Sequence, residues 1–169
     1  MNTGLFPATA MPDPDWCQAL WPYPGEVLAK LGIQPGTDAV DLCCGDGLFT
    51  VPLAGMTRRV VAIDLGPEML ELARARAAAA GVKNCAFIAG DAYDLARLVP
   101  APVDLVLIAN TFHGVPDQAR LAHAVATVLR PGGRCCGRAV GSSWSTGTGA
   151  RARTPKSSAS RADRRPSCG

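Results

Sequence analysis

Short apolar runs alternate with longer amphipathic segments along most of this chain. The apolar runs lack the strict apolar–polar alternation of a half-exposed strand, so we predict strands that are buried on both faces. The predicted strands cover residues 38–44, 59–64, 85–89 and 104–109. The segments between them predict helices over residues 47–54 and 67–80, and a further helix that begins at 116–117. That last helix carries one apolar stripe, made of Leu121, Ala124, Val125, Val128 and Leu129, that would face a sheet.

Buried strands that alternate with helices predict an α/β fold, a doubly wound and mostly parallel sheet covered by helices on both faces. The pattern supports four strands well and a fifth poorly, so we expect the sheet to be incomplete after the fourth or fifth strand. Ligands of such folds bind beside the carboxyl ends of the strands, near the point where the strand order reverses. Candidate functional residues are therefore sought directly after each strand.

The pattern divides the chain into three segments. Residues 1–35 read as a helical segment broken by Pro22, Pro24 and Gly25, and residues 36–133 form the α/β core. Residues 134–169 are a basic tail that is rich in serine and arginine. We predict a loop at 130–133 between the last helix and this tail, in which only residues 135–140 resemble a strand.

The tail has a composition unlike that of the core. It holds all seven serines of the chain, and the first 133 residues hold none. One interpretation is a disordered basic tail. The other is a frameshift, because a GC-rich back-translation read from the third codon position gives the strand-like run WQLVVNW from Val140 onward.

Charge and cysteine content narrow the classes of function. The tail carries 8 bases and 1 acid, so the first 133 residues hold 9 bases and 13 acids, a net charge of −4 that gives no basis for nucleic-acid binding. No apolar run approaches the ~20 residues of a membrane helix, and we read no signal peptide. Seven cysteines without a Cys-x-x-Cys pair predict free thiols and a cytoplasmic location.

The strongest motif is VDLCCGDG, in which a strand that contains Asp41 leads into Gly45 and Gly47. Glycine allows a backbone to approach a ligand closely. Asp64 closes the second strand, where its carboxylate could accept both hydroxyls of a ribose. Asp91 follows the third strand and could meet an adenine amine, although aspartate is equally typical of a helix N-cap.

Five segments in order, namely VDLCCGDG, VVAIDLGPEML, IAGDAYDL, VDLVLIANTFHGVPD and LRPGG, resemble the class I S-adenosylmethionine-dependent methyltransferases over residues 36–133. The resemblance implies S-adenosylmethionine as cofactor and a small-molecule methyl acceptor. It implies that the methionine end of the cofactor is contacted by Asp41, Gly45, Gly47 and Asn110. The ribose and adenosine would be contacted by Asp64, Leu65 and Met69, and the adenine by Asp91 and Ala92.

The sequence leaves open the roles of two residues and two alternative functions. Cys43 stands where the family usually has glycine, and we expect it to weaken cofactor binding at most. His113 follows the fourth strand and is the one candidate for a general base, and we expect no metal. A catalytically inactive fragment of such an enzyme is the first alternative. A nicotinamide-dependent oxidoreductase is the second, but the Gly-x-Gly-x-x-Gly motif that it needs is incomplete.

Overall fold

Six strands pair into one sheet in the computed structural model, which describes residues 14–139 and 142–147. The strands are β1 Asp38–Leu42, β2 Arg59–Asp64, β3 Cys85–Ala89, β4 Val103–Ala109, β5 Leu129–Ala139 and β6 Ser142–Gly147. The helices are α1 Pro14–Leu20, α2 Pro24–Ala29, α3 Thr50–Met56, α4 Pro67–Ala79, α5 Leu95–Leu98 and α6 Gln118–Val128, with 3-10 turns at Ala92–Asp94 and Phe112–Gly114. Within these residues no helix is both long and apolar enough to cross a membrane.

The strand order is β3-β2-β1-β4-β5-β6, with β1 to β5 parallel and β6 antiparallel to β5. The order reverses between β1 and β4, where parallel sheets bind ligands. This topology confirms the predicted doubly wound parallel sheet.

Alternate residues of the central strands face two separate apolar layers. Val40 and Leu42 pack with residues of α5 and α6 on one face, whereas Ala39 packs with residues of α2 and α3 on the other. Because both faces are covered, the strands need no polar side, which explains their continuous apolar runs. In the second layer the Trp21 and Phe49 rings meet edge to face with centroids 5.6 Å apart.

The predicted bounds of β2 and β3 are confirmed at both ends. Two neighbouring bounds differ. β1 ends at Leu42 rather than at residue 44, because Cys43 adopts a left-handed backbone with φ of 59° that breaks the extended geometry. α3 begins at Thr50 rather than at residue 47, because Gly47 also has a positive φ, of 83°.

The segment at residues 130–133, predicted as a loop, is instead part of β5. Leu129 lies opposite Val103 and Arg134 lies opposite Leu105, so β5 has four residues where β4 has one. This irregularity needs a glycine, because a Cβ on Gly133 would lie 2.9 Å from the Arg130 carbonyl oxygen. The fifth strand is therefore longer than residues 135–140, and the segment boundary that we placed after residue 133 falls inside it.

β6 extends the sheet by one strand beyond the predicted five. Its residues 142–147 belong to the segment that we expected to be a disordered or frameshifted tail. Residues 148–169 lie outside the described residues, as do residues 1–13 of the N-terminal segment. For residues 148–169 both interpretations of the tail stay predictions.

The amino-terminal edge of the sheet is fixed by ion pairs around the buried carboxylate of Asp38. Arg58, Arg59 and Arg130 all reach this carboxylate, Arg130 with its Nη2 at 2.9 Å. Arg130 also donates to Asp104 Oδ2 at 2.6 Å, and the same oxygen accepts the Asp38 amide at 2.8 Å. Burial raises the pKa of Asp38, but the hydrogen bonds from Arg130 and Arg58 outweigh it and lower the pKa overall. This cluster ties β1, β4 and the start of β5 together.

Candidate functional site

The opposite, carboxyl-terminal edge of the sheet carries the predicted site residues. Asp41, Asp64 and Asn110 lie at or just beyond the ends of β1, β2 and β4, and Asp91 follows β3 by two residues. A small pocket opens there between the ends of β1, β2 and β3. It is lined by Leu42, Cys43, Ile63, Asp64, Leu65, Gly90, Asp91 and Ala92. Four of the predicted cofactor contacts, Asp64, Leu65, Asp91 and Ala92, therefore share one pocket.

Asp64 holds two loops in place around the pocket. Its Oδ2 accepts the amide of Gly45 at 2.8 Å, and its Oδ1 accepts the amide of Gly66 at 2.9 Å. The first bond joins the end of β2 to the glycine loop after β1, and the second begins the turn into α4. The carboxylate is thereby oriented, while each oxygen keeps a further lone pair for a hydroxyl donor.

Asp41 is fully buried below the glycine loop. Its Oδ2 accepts a hydrogen bond from the Thr50 hydroxyl at 2.6 Å. Burial raises the pKa of this carboxyl to about 7, the Thr50 hydrogen bond opposes that rise, and the negative charge of Asp64 adds to it. Asp41 thus bonds to the first residue of α3 and does not line the pocket.

The glycine loop is held from below by α4. Gly47 has a positive φ of 83°, and a Cβ there would lie 3.0 Å from the Cβ of Ala73. The buried carboxylate of Asp46 receives Nη2 of Arg76, whose Nε also donates to the Asp46 carbonyl oxygen at 3.1 Å. Asp46 Oδ1 accepts the amide of Leu48 at 3.2 Å. The loop backbone is thus fixed by packing and by charge.

Asp91 both caps a helical turn and lines the pocket. Its Oδ1 accepts the amide of Tyr93 at 2.8 Å, which caps the 3-10 turn Ala92–Asp94. The same residue lines the pocket. Capping fixes the orientation of the carboxylate at the pocket wall, so the cap and a ligand contact are compatible.

Among the residues that the structure describes, two other than glycine have a left-handed backbone, and both lie at strand ends beside the site. Cys43 has a φ of 59° and Asn110 a φ of 61°. Such a conformation is uncommon outside glycine and concentrates at functional positions. The buried Oδ1 of Asn110 has no hydrogen-bond partner among the described residues. A buried acceptor of this kind is costly unless a ligand or a water satisfies it.

Two further predicted residues have no observed contact with the pocket. Met69 lies in the first turn of α4 behind Gly66 and is not among the pocket residues. His113 lies in the 3-10 turn Phe112–Gly114 after β4, and its side chain lies outside the part of the chain that the structure describes. Neither its contacts nor its role as a base is tested.

Sequence reasoning missed four residues that build the site, namely Asp46, Thr50, Arg76 and Tyr93. Asp46 and Thr50 lie inside or beside the glycine motif, so their positions were visible, but their partners were not. Arg76 is 30 residues from Asp46 along the chain, and no local pattern pairs the two. Among the described residues no group of three or more histidine, cysteine or acidic side chains could hold a metal ion.

Solved structures of similar shape agree with this architecture. A SAM-dependent methyltransferase from Aquifex aeolicus superposes with a TM-score of 0.62 at 24% identity, over 74% of this chain and 66% of that one. At this identity the likeness shows the fold alone. The sheet order and the position of the pocket thus define a chain of the Rossmann-like methyltransferase architecture.

Sequence comparison then gives the family. The model of the methyltransferase domain family matches residues 39–133, which is more than half of the chain. The ubiquinone biosynthesis O-methyltransferase of Xylella fastidiosa (strain 9a5c) is 34% identical over 116 residues, 69% of this chain and 47% of that protein. The demethylmenaquinone methyltransferase of Lactococcus lactis subsp. lactis (strain IL1403) is 31% identical over 112 residues, 64% of this chain and 44% of that protein.

This chain therefore belongs to the methyltransferase domain family, and the resemblance to class I S-adenosylmethionine-dependent methyltransferases is confirmed. It spans about half the length of the two relatives named above.

Proposed function

We propose that this chain is an S-adenosylmethionine-dependent methyltransferase that acts on a small-molecule acceptor. The observation that carries the proposal is electrostatic. Asp41, Asp64 and Asp91 lie at one edge of the sheet, and none of them forms an ion pair within the described residues. Their combined charge raises the pKa of the neighbouring Cys43 thiol, after burial, to about 12. Such an edge attracts a cationic ligand, and the cofactor carries a sulfonium and an ammonium group.

Each part of the cofactor would be contacted by a different set of residues. The buried, unpartnered Oδ1 of Asn110 would accept a hydrogen bond from the methionine ammonium group, and we assign Asp41, Gly45 and Gly47 to the same end of the cofactor. Asp64 would accept the ribose hydroxyls with the lone pairs that the two loop amides leave open. Of the pocket-wall residues, Leu65 would lie beside the adenosine, and Asp91 and Ala92 beside the adenine. Met69 lies outside the pocket wall, next to Gly66, and we assign it to the adenosine as well.

The bound cofactor supplies a methyl group on a good leaving group, so the work of the protein is to hold the two reactants in line. A base is needed only if the acceptor carries a proton that must leave. His113, in the turn after β4, is our candidate for that base. The same turn follows Asn110, so a base there would stand on the methionine side of the site.

A nicotinamide-dependent oxidoreductase fits these charges poorly. Its cofactor carries a pyrophosphate, which the carboxylate of Asp64, without an ion pair among the described residues, would repel, as would Asp41 in its ionised form. The better alternative is a catalytically inactive fragment that folds without turning over an acceptor. The length of the chain relative to its relatives keeps that alternative open to experiment.

A small-molecule acceptor is supported by the relatives and by the charge of the core. The two relatives are a ubiquinone biosynthesis O-methyltransferase and a demethylmenaquinone methyltransferase, and the compounds in both names are small molecules. The net charge of −4 over residues 1–133 disfavours a nucleic-acid acceptor. A cytoplasmic location is supported by the six described cysteines, all of which are free thiols.

Calorimetric titration of S-adenosylmethionine into the full 169-residue chain tests the proposal. We expect micromolar affinity, loss of the heat in Asp64→Ala, and little change in Asp94→Asn, whose carboxylate is about half exposed and lies outside the pocket. NADH should give no heat. A chain that is folded by circular dichroism but binds no S-adenosylmethionine would contradict the proposal and favour the inactive fragment.

The acceptor step needs its own assay. Methyl transfer to a panel of phenols and quinols should be detectable as S-adenosylhomocysteine release, and His113→Ala should reduce the rate at least tenfold if His113 is the base. A smaller reduction would remove His113 from that role. His123→Ala, on α6, is the matched histidine control.

A further inference from the structure

Tyr93 connects two parts of the site that are distant in sequence. Its backbone amide donates to Asp91 Oδ1 at 2.8 Å, which places it beside the pocket wall. Its hydroxyl accepts the backbone amide of Asp117 at 3.1 Å. The half-buried ring of Tyr93 packs against the apolar layer below, and the guanidinium of Arg120 lies 4.4 Å from the ring centroid.

The segment that Tyr93 reaches is the one that leads away from Asn110. It runs through the 3-10 turn Phe112–Gly114 to Asp117, where α6 begins. Asp117 caps this helix with a hydrogen bond from the Arg120 amide at 2.8 Å. At the other end of the segment, Asn110 has its left-handed backbone and unpartnered Oδ1. The hydroxyl of Tyr93 therefore holds the far end of a segment that begins at the methionine side of the site.

We propose that Tyr93 is a positioning residue that couples occupation of the adenine side of the pocket to the conformation of residues 110–117. The inference rests on the proposed function, because it requires the adenosine of the cofactor to lie against Asp91 and Ala92. A ligand that orders the 3-10 turn after β3 also orders the ring and hydroxyl of Tyr93. The hydroxyl then holds the Asp117 amide and fixes the segment that carries His113.

The coupling has a direction that can be measured. If the ligand stabilises the Tyr93 hydroxyl in its bonded position, the Asp117 amide exchanges with solvent more slowly when the ligand is bound. By linkage, forming the hydrogen bond between Tyr93 and Asp117 raises the affinity for the ligand by the same factor. One neutral hydrogen bond of ordinary strength corresponds to a change of about fivefold in exchange rate.

Amide hydrogen exchange of the full ¹⁵N-labelled chain, followed by NMR with and without S-adenosylhomocysteine, tests this coupling. In the wild-type chain the ligand should slow exchange of the Asp117 amide by about fivefold. Tyr93→Phe keeps the ring and removes only the acceptor, so it should lose this ligand-dependent slowing and, by linkage, bind the ligand up to about fivefold more weakly. Arg120→Gln, which keeps the hydroxyl, should retain the slowing.

Each outcome separates the coupling from the proposed function. If the wild-type chain binds the ligand and the Asp117 amide slows equally in the wild type and in Tyr93→Phe, the coupling is overturned and the proposed function stands. If the wild-type chain does not bind the ligand, both fail. If Tyr93→Phe is unfolded, Tyr93→Leu, which also lacks an acceptor, is used in its place, and retention of the slowing in that variant also overturns the coupling.

Discussion

Replacing Gly47 with alanine should destabilise the protein through two separable effects. The first is backbone strain, because Gly47 has a φ of 83° and a left-handed conformation costs a residue with a Cβ about 1–2 kcal/mol. The second is contact with α4. The new Cβ would lie 3.0 Å from the Cβ and 3.1 Å from the Cα of Ala73, which is fully buried, and overpacking of this kind costs about 1–3 kcal/mol. The expected loss of unfolding free energy is about 2–5 kcal/mol.

Gly81→Ala isolates the first effect. Gly81 has a φ of 70°, and nothing lies within 4 Å of the position that its Cβ would take. This variant should therefore lose only the strain energy of about 1–2 kcal/mol. Urea denaturation followed by far-ultraviolet circular dichroism measures both variants, and an unchanged slope would show that they unfold from comparable states.

The difference between the two variants is the energy of the contact between the glycine loop and α4. If Gly47→Ala is no less stable than Gly81→Ala, the close packing of the loop on Ala73 does not restrain it. The double variant Gly47→Ala with Ala73→Gly gives a second check. It should recover part of the loss even though a helical glycine itself costs about 1 kcal/mol.

Three further predictions concern charged groups, and each is read from denaturation curves. Arg76→Gln leaves the largely buried carboxylate of Asp46 without its cation and should lower the free energy of unfolding by about 1–3 kcal/mol. The control Arg74→Gln breaks an exposed ion pair and should lower it by less than about 1 kcal/mol. Burial raises the folded-state pKa of Asp41 from 3.8 to about 7, so the free energy of unfolding should fall as pH rises between these values. The fall should be at most about 1.4 kcal/mol per pH unit, and Asp41→Asn should remove it. The pKa of Asp38 is lowered, so its contribution to stability is present at neutral pH and is lost as pH falls below about 4. Arg130→Gln should destabilise the protein at neutral pH and reduce this loss of stability in acid.

The parallel core was predictable because its signals are local. The strands β2 and β3 are short, mostly apolar runs without apolar–polar alternation. The positions of Asp64 and Asp91 followed from those bounds, since parallel strands present their carboxyl ends at one edge. That part of the site needed only the strand bounds and the direction of the chain.

The remainder depended on contacts between distant segments. The bond from Arg76 to Asp46 and the bond from Asp117 to Tyr93 join residues that are 30 and 24 positions apart. The segment at residues 130–133 contains proline and two glycines and reads as a loop, yet pairing with β4 accommodates it as an irregularity in β5. Local turn propensity was overridden there by the neighbouring strand, because a parallel pair can tolerate extra residues where the glycines allow them.

Buried carboxyl groups at the two edges of the sheet have pKa values shifted in opposite directions. At the amino-terminal edge Asp38 is surrounded by three arginines, and its pKa is lowered, so the charge there is satisfied within the protein. At the carboxyl-terminal edge Asp41 has a hydroxyl and no cation as its partner, and its pKa is raised, in part by Asp64. The first arrangement stabilises the fold at neutral pH, and the second costs stability as pH rises toward 7. A ligand with a positive charge would recover that cost on binding, because it would favour the ionised form of the same carboxylates. We therefore expect the affinity for the cofactor to increase as pH rises through about 7, and Asp41→Asn to remove this pH dependence. Calorimetric titration at several pH values around 7 would measure both.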